Sequence, residues 1–134
     1  MEIGLFLGFL GFFFTAVALV IVFLYLYAVV TPYDDYKLIF EENNIAAALA
    51  FGGAIIGVSI PMYSALVNSV SYIDFAMWGV IAILIQLIFA FVVTRFLGRF
   101  AFEEKISKGL ISIGIIMAFL SISIGLLNAG SMSY

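Results

Sequence analysis

Charged positions divide this chain into four long apolar stretches. Asp, Glu, Lys and Arg occur only at Glu2, Asp34, Asp35, Lys37, Glu41, Glu42, Asp74, Arg95, Arg99, Glu103, Glu104, Lys105 and Lys108, leaving uncharged runs at 3–30, 43–73, 75–94 and 109–134. A helix needs roughly 20 apolar residues to cross a ~30 Å hydrocarbon core, and each run is long enough. Lipid offers no partner to a free backbone amide, so the runs predict helices, whereas barrel strands would be alternating stretches of about 10 residues. The expected fold is all-α: a polytopic membrane protein with one four-helix transmembrane domain over 1–134. Its helices are expected at about 3–30, 45–73, 75–94 and 109–131, with loops 31–44 and 95–108.

Composition removes the soluble alternative. Hydrophobic residues make up 66% of the chain and charged ones 10%, and the mean hydropathy is +1.32. Soluble domains average about 25% charged residues, far more than are present to cover a water-facing surface. The chain has no Cys and no His, which excludes a disulfide scaffold, a thiolate metal site and imidazole chemistry. It supplies no basic surface for nucleic acid. No nucleophile with a base, carboxylate pair in a cleft or phosphate loop is visible, so no enzyme, cofactor or metal is expected. No ionisable residue lies at the middle of a span, where proton-coupled carriers need one.

The first run has Glu2 and no basic residue before it, and it exceeds the 7–15 apolar residues of a signal peptide, so it reads as a retained span. Lys37 lies in the first loop and Arg95, Arg99, Lys105 and Lys108 in the second; the opposite face has no basic residue. The positive-inside rule therefore predicts cytoplasmic loops with both termini and the Asp74 turn outside. The first loop is net acidic and the second net basic. They read as solvated loops, with mutual attraction as the alternative.

Thr31-Pro32-Tyr33-Asp34 has the grammar of a helix start, with Thr31 as N-cap and Pro32 in the first turn. Tyr33, Tyr36 and Phe40 would then share one face of a short interfacial helix, closed by a left-handed turn at Asn43-Asn44. In the second loop Arg95, Arg99 and Glu103 recur every four residues, Glu104 precedes Lys108 by four, and Phe96 and Phe100 make an apolar pair. The third span is therefore expected to continue as helix beyond the membrane.

Close helix packing in lipid depends on small residues. Such rows run through Ala46, Ala50, Gly53, Gly57 and Pro61; Gly79, Ala82, Gln86 and Ala90; and Gly114, Ala118, Ser121, Gly125 and Ala129. Gly4, Gly8 and Gly11 add a shorter row suited to a neighbouring subunit. Gln86 is expected to hydrogen-bond across a seam, with pore lining as the alternative. Pro61 frees the Gly57 carbonyl, Ser59 could compensate, and a kink is expected. Ser64, Asn68, Ser69, Ser71 and Asp74, with Asn128 and Ser131, read as interface solvation or as a shared outer vestibule. Sliding the chain by 64 residues aligns Ser59-Ile60-Pro61 with Ser123-Ile124-Gly125 and Ala65 with Ala129. This weak match raises the possibility of two tandem parallel helical hairpins, 1–73 and 74–134.

The run Thr31-Pro32-Tyr33-Asp34-Asp35, with Leu38-Ile39, Asn44-Ile45-Ala46-Ala47-Ala48-Leu49, Gly52-Gly53-Ala54 and Gly57, resembles the YjfL-like family of bacterial inner-membrane proteins, domain of unknown function 350. Trp78-Gly79, Gln86-Leu87 and Gly125-Leu126-Leu127-Asn128-Ala129 extend the likeness over nearly the whole chain. Asn43 stands where that family's pattern suggests Gly. The resemblance implies a four-helix inner-membrane protein of two two-helix repeats, and a partner role near membrane-stress proteins. It brings no activity or catalytic residue. The expected function is a non-enzymatic oligomeric scaffold or accessory subunit that recruits a soluble cytoplasmic partner. The alternative is a small oligomeric channel or carrier, with Gln86, Ser59, Ser123 and Asn128 along a path.

Overall fold

The computed structural model describes residues 2–96 and 102–132. Its helices are α1 (Glu2–Val30), α2 (Ile45–Asn68), α3 (Tyr72–Phe91), α4 (Phe102–Ser107) and α5 (Ile111–Met132), with wider π-helical turns at Lys37–Glu41 and Val92–Phe96. Among the described residues four helices are long and apolar enough to span a membrane: Glu2–Val30, Ile45–Asn68, Tyr72–Arg95 and Ile111–Met132. The expected all-α, four-span fold is present.

Its centre is the α2–α5 seam. A Cβ added to Gly53 would stand 2.3 Å from Ala118 Cα, one on Gly57 2.5 Å from the Ser121 carbonyl oxygen, and one on Gly114 2.4 Å from that of Ala46. These are backbone-to-backbone contacts that only glycine permits, and they supply the dispersion energy that lipid cannot replace. Their order along both helices makes α2 and α5 parallel. Pro61 lacks the N–H that would bond the Gly57 carbonyl, and Gly125 lies against that oxygen, where its missing Cβ would sit 2.1 Å away. Ser59 does not compensate: its hydroxyl donates to the Ile55 carbonyl of its own helix at 2.7 Å and is exposed.

Helix α3 buries its predicted row, Gly79, Ala82, Gln86 and Ala90, with Gln86 reaching the α2–α5 seam and Gly79 set against Leu19 of α1 and Met62 of α2. Helix α1 differs, burying only Ala16, Phe23 and Tyr27. It meets α3 through Phe12, whose ring lies 5.6 Å from those of Tyr72 and Phe75, and through a 2.8 Å hydrogen bond between the Thr15 and Tyr72 hydroxyls. Before Phe12 the helix buries no side chain, and nothing lies within 4 Å of a Cβ placed on Gly4, Gly8 or Gly11.

Two junctions depart from the expected boundaries. Helix α2 ends at Asn68, and Ser71 starts α3 by accepting from the Asp74 amide at 3.1 Å while Asp74 accepts from the Val70 amide at 3.0 Å. Asp74 therefore belongs to the first turn of α3, in a reciprocal cap whose two side chains satisfy otherwise free amides. The third span is also not one continuous α-helix. It widens over Val92–Phe96, where the Thr94 hydroxyl bonds back to the Ala90 carbonyl at 2.7 Å. Arg99 and Phe100 lie outside the described residues, so the Arg95-Arg99-Glu103 spacing and the Phe96-Phe100 pair do too.

Candidate functional site

At the charged end, the helix start falls three residues later than the Thr31-Pro32 pattern suggests. Asp34 is the cap, its carboxylate accepting from the Lys37 amide at 3.1 Å, and the helix runs from there through the turn to Glu41. Thr31 instead donates to the Asp35 carboxylate. The predicted aromatic face is split: Tyr33 is buried, whereas Tyr36 and Phe40 are exposed and stacked on each other. The left-handed turn is at Asn43, with φ 52°. Asn44 is extended and caps α2, accepting from the Ala47 amide at 2.9 Å.

Asn44 also joins the two loops. Its side-chain amide donates to the Ile106 carbonyl at the end of α4 at 2.8 Å, and its backbone amide donates to the Leu38 carbonyl at 2.8 Å. Around it Leu38, Ala46, Ala47, Ala50, Phe102, Ile106 and Met117 form one buried cluster. The loops are held by the Asn44 side chain on main-chain carbonyls and by apolar packing, with no ion pair between them among the described residues. The 2.7 Å ion pair is Glu104 with Lys108, inside the second loop and exposed, as the four-residue spacing predicts. It lowers the Glu104 carboxyl below its usual range, and an exposed pair of this kind adds little stability.

The same packing buries Asp35 completely. One carboxylate oxygen accepts from Thr31, while Oδ1 has no hydrogen-bond partner in the structure. Burial pushes the Asp35 carboxyl up from 3.8 to about 7, with the Thr31 bond opposing the rise and the Asp34 charge adding to it. Burial likewise raises the Tyr33 phenol well above its usual range, assisted by the Asp35 charge. Beside this cluster Pro32, Thr94, Arg95, Phe102, Glu103, Glu104 and Ser107 line a cavity of ≈ 650 Å³. Arg95 is turned to the end of α1, giving its Nε and Nη2 to the Val30 carbonyl at 3.2 and 3.0 Å.

The other sequence-selected residues fall in separate places. Gly53, Gly57, Gly125 and Gln86 meet at the seam, where Gln86 Nε2 donates to the Ser121 carbonyl at 3.4 Å and Oε1 is buried without a partner. Replacing Gln86 by Leu removes one long hydrogen bond and one unsatisfied atom. A change of less than about 1 kcal/mol in unfolding free energy is expected, and a loss of folded protein in detergent would contradict it. Asn128 is buried, with Nδ2 unpartnered. Ser59 and Ser123 are exposed on the outside of the bundle and do not join Gln86 and Asn128 along one path. At the end opposite the loops, Ser64, Asn68, Ser69, Asp74, Trp78 and Met132 line a hollow of ≈ 300 Å³, whose lining does not include Ser71, Asn128 or Ser131.

Asn44 and the buried state of Asp35 were the features least visible in the sequence. The available signals were the Asx position before Ile45, and the placing of Asp35 between Tyr33 and Leu38, four residues after Thr31.

Four apolar spans joined at glycine seams, with charged segments gathered at one end, define a multi-pass helical integral membrane protein. The chain belongs to the family described as Domain of Unknown Function (DUF350), whose sequence model matches residues 1–132. It is 39% identical over 128 residues to the inner membrane protein YjfL of Escherichia coli K12, covering 96% of this chain and 95% of that protein. It is 26% identical over 117 residues to the transmembrane protein YshE of Bacillus subtilis, covering 87% of each. No solved structure matches it. It is thus an inner-membrane protein of an uncharacterised family.

Proposed function

We propose that this chain is a non-enzymatic oligomeric scaffold or accessory subunit of an inner-membrane assembly. In this reading both termini lie outside, and the 31–44 and 95–108 segments are cytoplasmic and recruit a soluble partner. The orientation is supported by Lys37, Arg95, Lys105 and Lys108, which all lie in those two segments.

The observation that carries the oligomer is the first third of α1. Gly53, Gly57, Gly114 and Gly125 are each in contact with backbone of another helix, whereas Gly4, Gly8 and Gly11 meet nothing within 4 Å. These three share one helix face by their spacing of four and three. The ten residues from Glu2 to Gly11 extend about 15 Å past Phe12, the first ring in contact with another helix. A second copy packed along that face would use the same close approach that holds α2 to α5. A conduction path through one chain has less support, since Ser59 and Ser123 lie outside the bundle.

The chain has no cysteine, so single replacements report contacts cleanly. Gly8→Cys in native membranes is expected to form a disulfide-linked dimer on mild oxidation, because the two Cα atoms would fall within the ~4.4–6.8 Å a disulfide needs. Phe6→Cys, on the opposite face, is expected to remain monomeric. Monomers from Gly8→Cys, Gly4→Cys and Gly11→Cys alike would end the oligomer reading.

A further inference from the structure

We propose that Asp35 is a proton-binding site, and that the carboxyl takes up or releases one proton from the charged end of the bundle and thereby sets how firmly segment 31–44 is docked. The geometry begins with complete burial of a carboxyl that has only one of its two oxygens bonded, to Thr31. A buried carboxylate needs either donors or a counter-charge, because an isolated ion is expensive in an apolar surround.

Neither is supplied by the packed elements. From α1 comes Tyr27, and from the segment itself Tyr33 and Asp34; the two phenols lie against each other, and neither hydroxyl donates to the carboxyl. From α4 comes Glu103, which acts on Tyr33 and adds only negative charge. In the buried cluster that holds Tyr33 and Leu38, α2 and α5 contribute Ala46, Ala47, Ala50 and Met117, which are apolar. Arg95 is committed to the Val30 carbonyl, Lys37 is exposed, and Asp35 has no ion pair among the described residues. Arg99 lies outside those residues. A proton neutralises the group without enlarging the site, whereas the ionised form leaves Oδ1 as a buried anionic acceptor with no donor.

The direction of coupling follows from where the proton is held more tightly. The docked segment raises the carboxyl from 3.8 to about 7, so the docked state binds the proton better than the open one. Docking is then favoured at acid pH, weakens as pH rises from about 3.8 towards about 7, and is level above that.

The test is an infrared titration of the intact protein in nanodiscs, with Asp35→Asn as the subtraction reference, beside hydrogen exchange of the 31–44 amides corrected for intrinsic rates. A protonated carboxyl band absent from D35N and lost with a midpoint near 7 is expected, with segment protection falling between about pH 3.8 and about pH 7 and level above that. D35N is expected to show no such fall. Thr31→Val, which removes the hydrogen bond favouring the anion, is expected to move the midpoint upward. A midpoint near 3.8 overturns the site. A midpoint that falls as sodium or potassium is added overturns the proton in favour of an alkali cation. Segment protection indifferent to the titration overturns the coupling.

Discussion

Gly125→Ala is expected to cost about 3 kcal/mol of unfolding free energy or more, far beyond the usual effect of one methyl group. The new Cβ would stand 2.1 Å from the Gly57 carbonyl oxygen and 3.0 Å from Gly57 Cα. Neither atom belongs to a side chain that can rotate away, so α2 and α5 must separate and lose contacts along their whole length. The separation would spread to Gly53 against Ala118 and to Gly114 against Ala46, which depend on the same axial distance. Gly52→Ala and Gly130→Ala are the controls. Nothing lies within 4 Å of either Cβ, and helix propensity predicts a gain of up to about 1 kcal/mol. Reversible unfolding in mixed micelles would rank the three, and a Gly125→Ala protein as stable as Gly52→Ala would refute the close-contact account of the seam.

Asn44→Ala is expected to destabilise by about 2 kcal/mol, combining the loss of an N-cap, worth about 1 kcal/mol, with that of the bond to the Ile106 carbonyl. Asn44→Asp separates the two losses. It keeps an acceptor for the Ala47 amide but replaces the donor facing Ile106 with an oxygen. If Asn44 ties the loops together, Asp should recover less than half the lost stability, and exchange protection should fall at Ile106 and its neighbours as well as at Ala47. Full recovery by Asp would reduce Asn44 to a helix cap.

The spans were legible because lipid makes one demand on every residue within it, and thirteen charges mark where that demand stops. The seam was legible for a related reason: Gly53, Gly57, Gly114 and Gly125 have no other use in a helix interior, where glycine costs about 1 kcal/mol. Segment 31–44 was harder to read because Thr31, Asp34 and Asn44 are all good caps, and local grammar does not rank them. Packing ranks them: burying Tyr33 and Leu38 pulls Asp35 inward, commits Thr31 to the carboxylate, and leaves Asp34 outside to start the helix. A charge count treats Asp34 and Asp35 as equals, whereas the fold gives them opposite surroundings. Ser59 was misread through proximity, since standing two residues before Pro61 turns its hydroxyl to Ile55 rather than to the carbonyl that proline leaves free.

The unequal lengths of the helices bear on where in a cell's membranes the chain fits best. Helix α1, at 29 residues, is about 43 Å long, against a hydrocarbon thickness of ~30 Å, whereas α5 has 22 residues and needs little tilt. Any bilayer that suits α5 leaves α1 with surplus apolar length, which is relieved by leaning the helix or by local thickening of the lipid around it. Because α1 is fastened mainly between Phe12 and Tyr27, leaning pivots it about that stretch and swings its free third sideways. Bilayer thickness thereby becomes an input to the protein's shape, delivered through the helix that the rest of the bundle holds least.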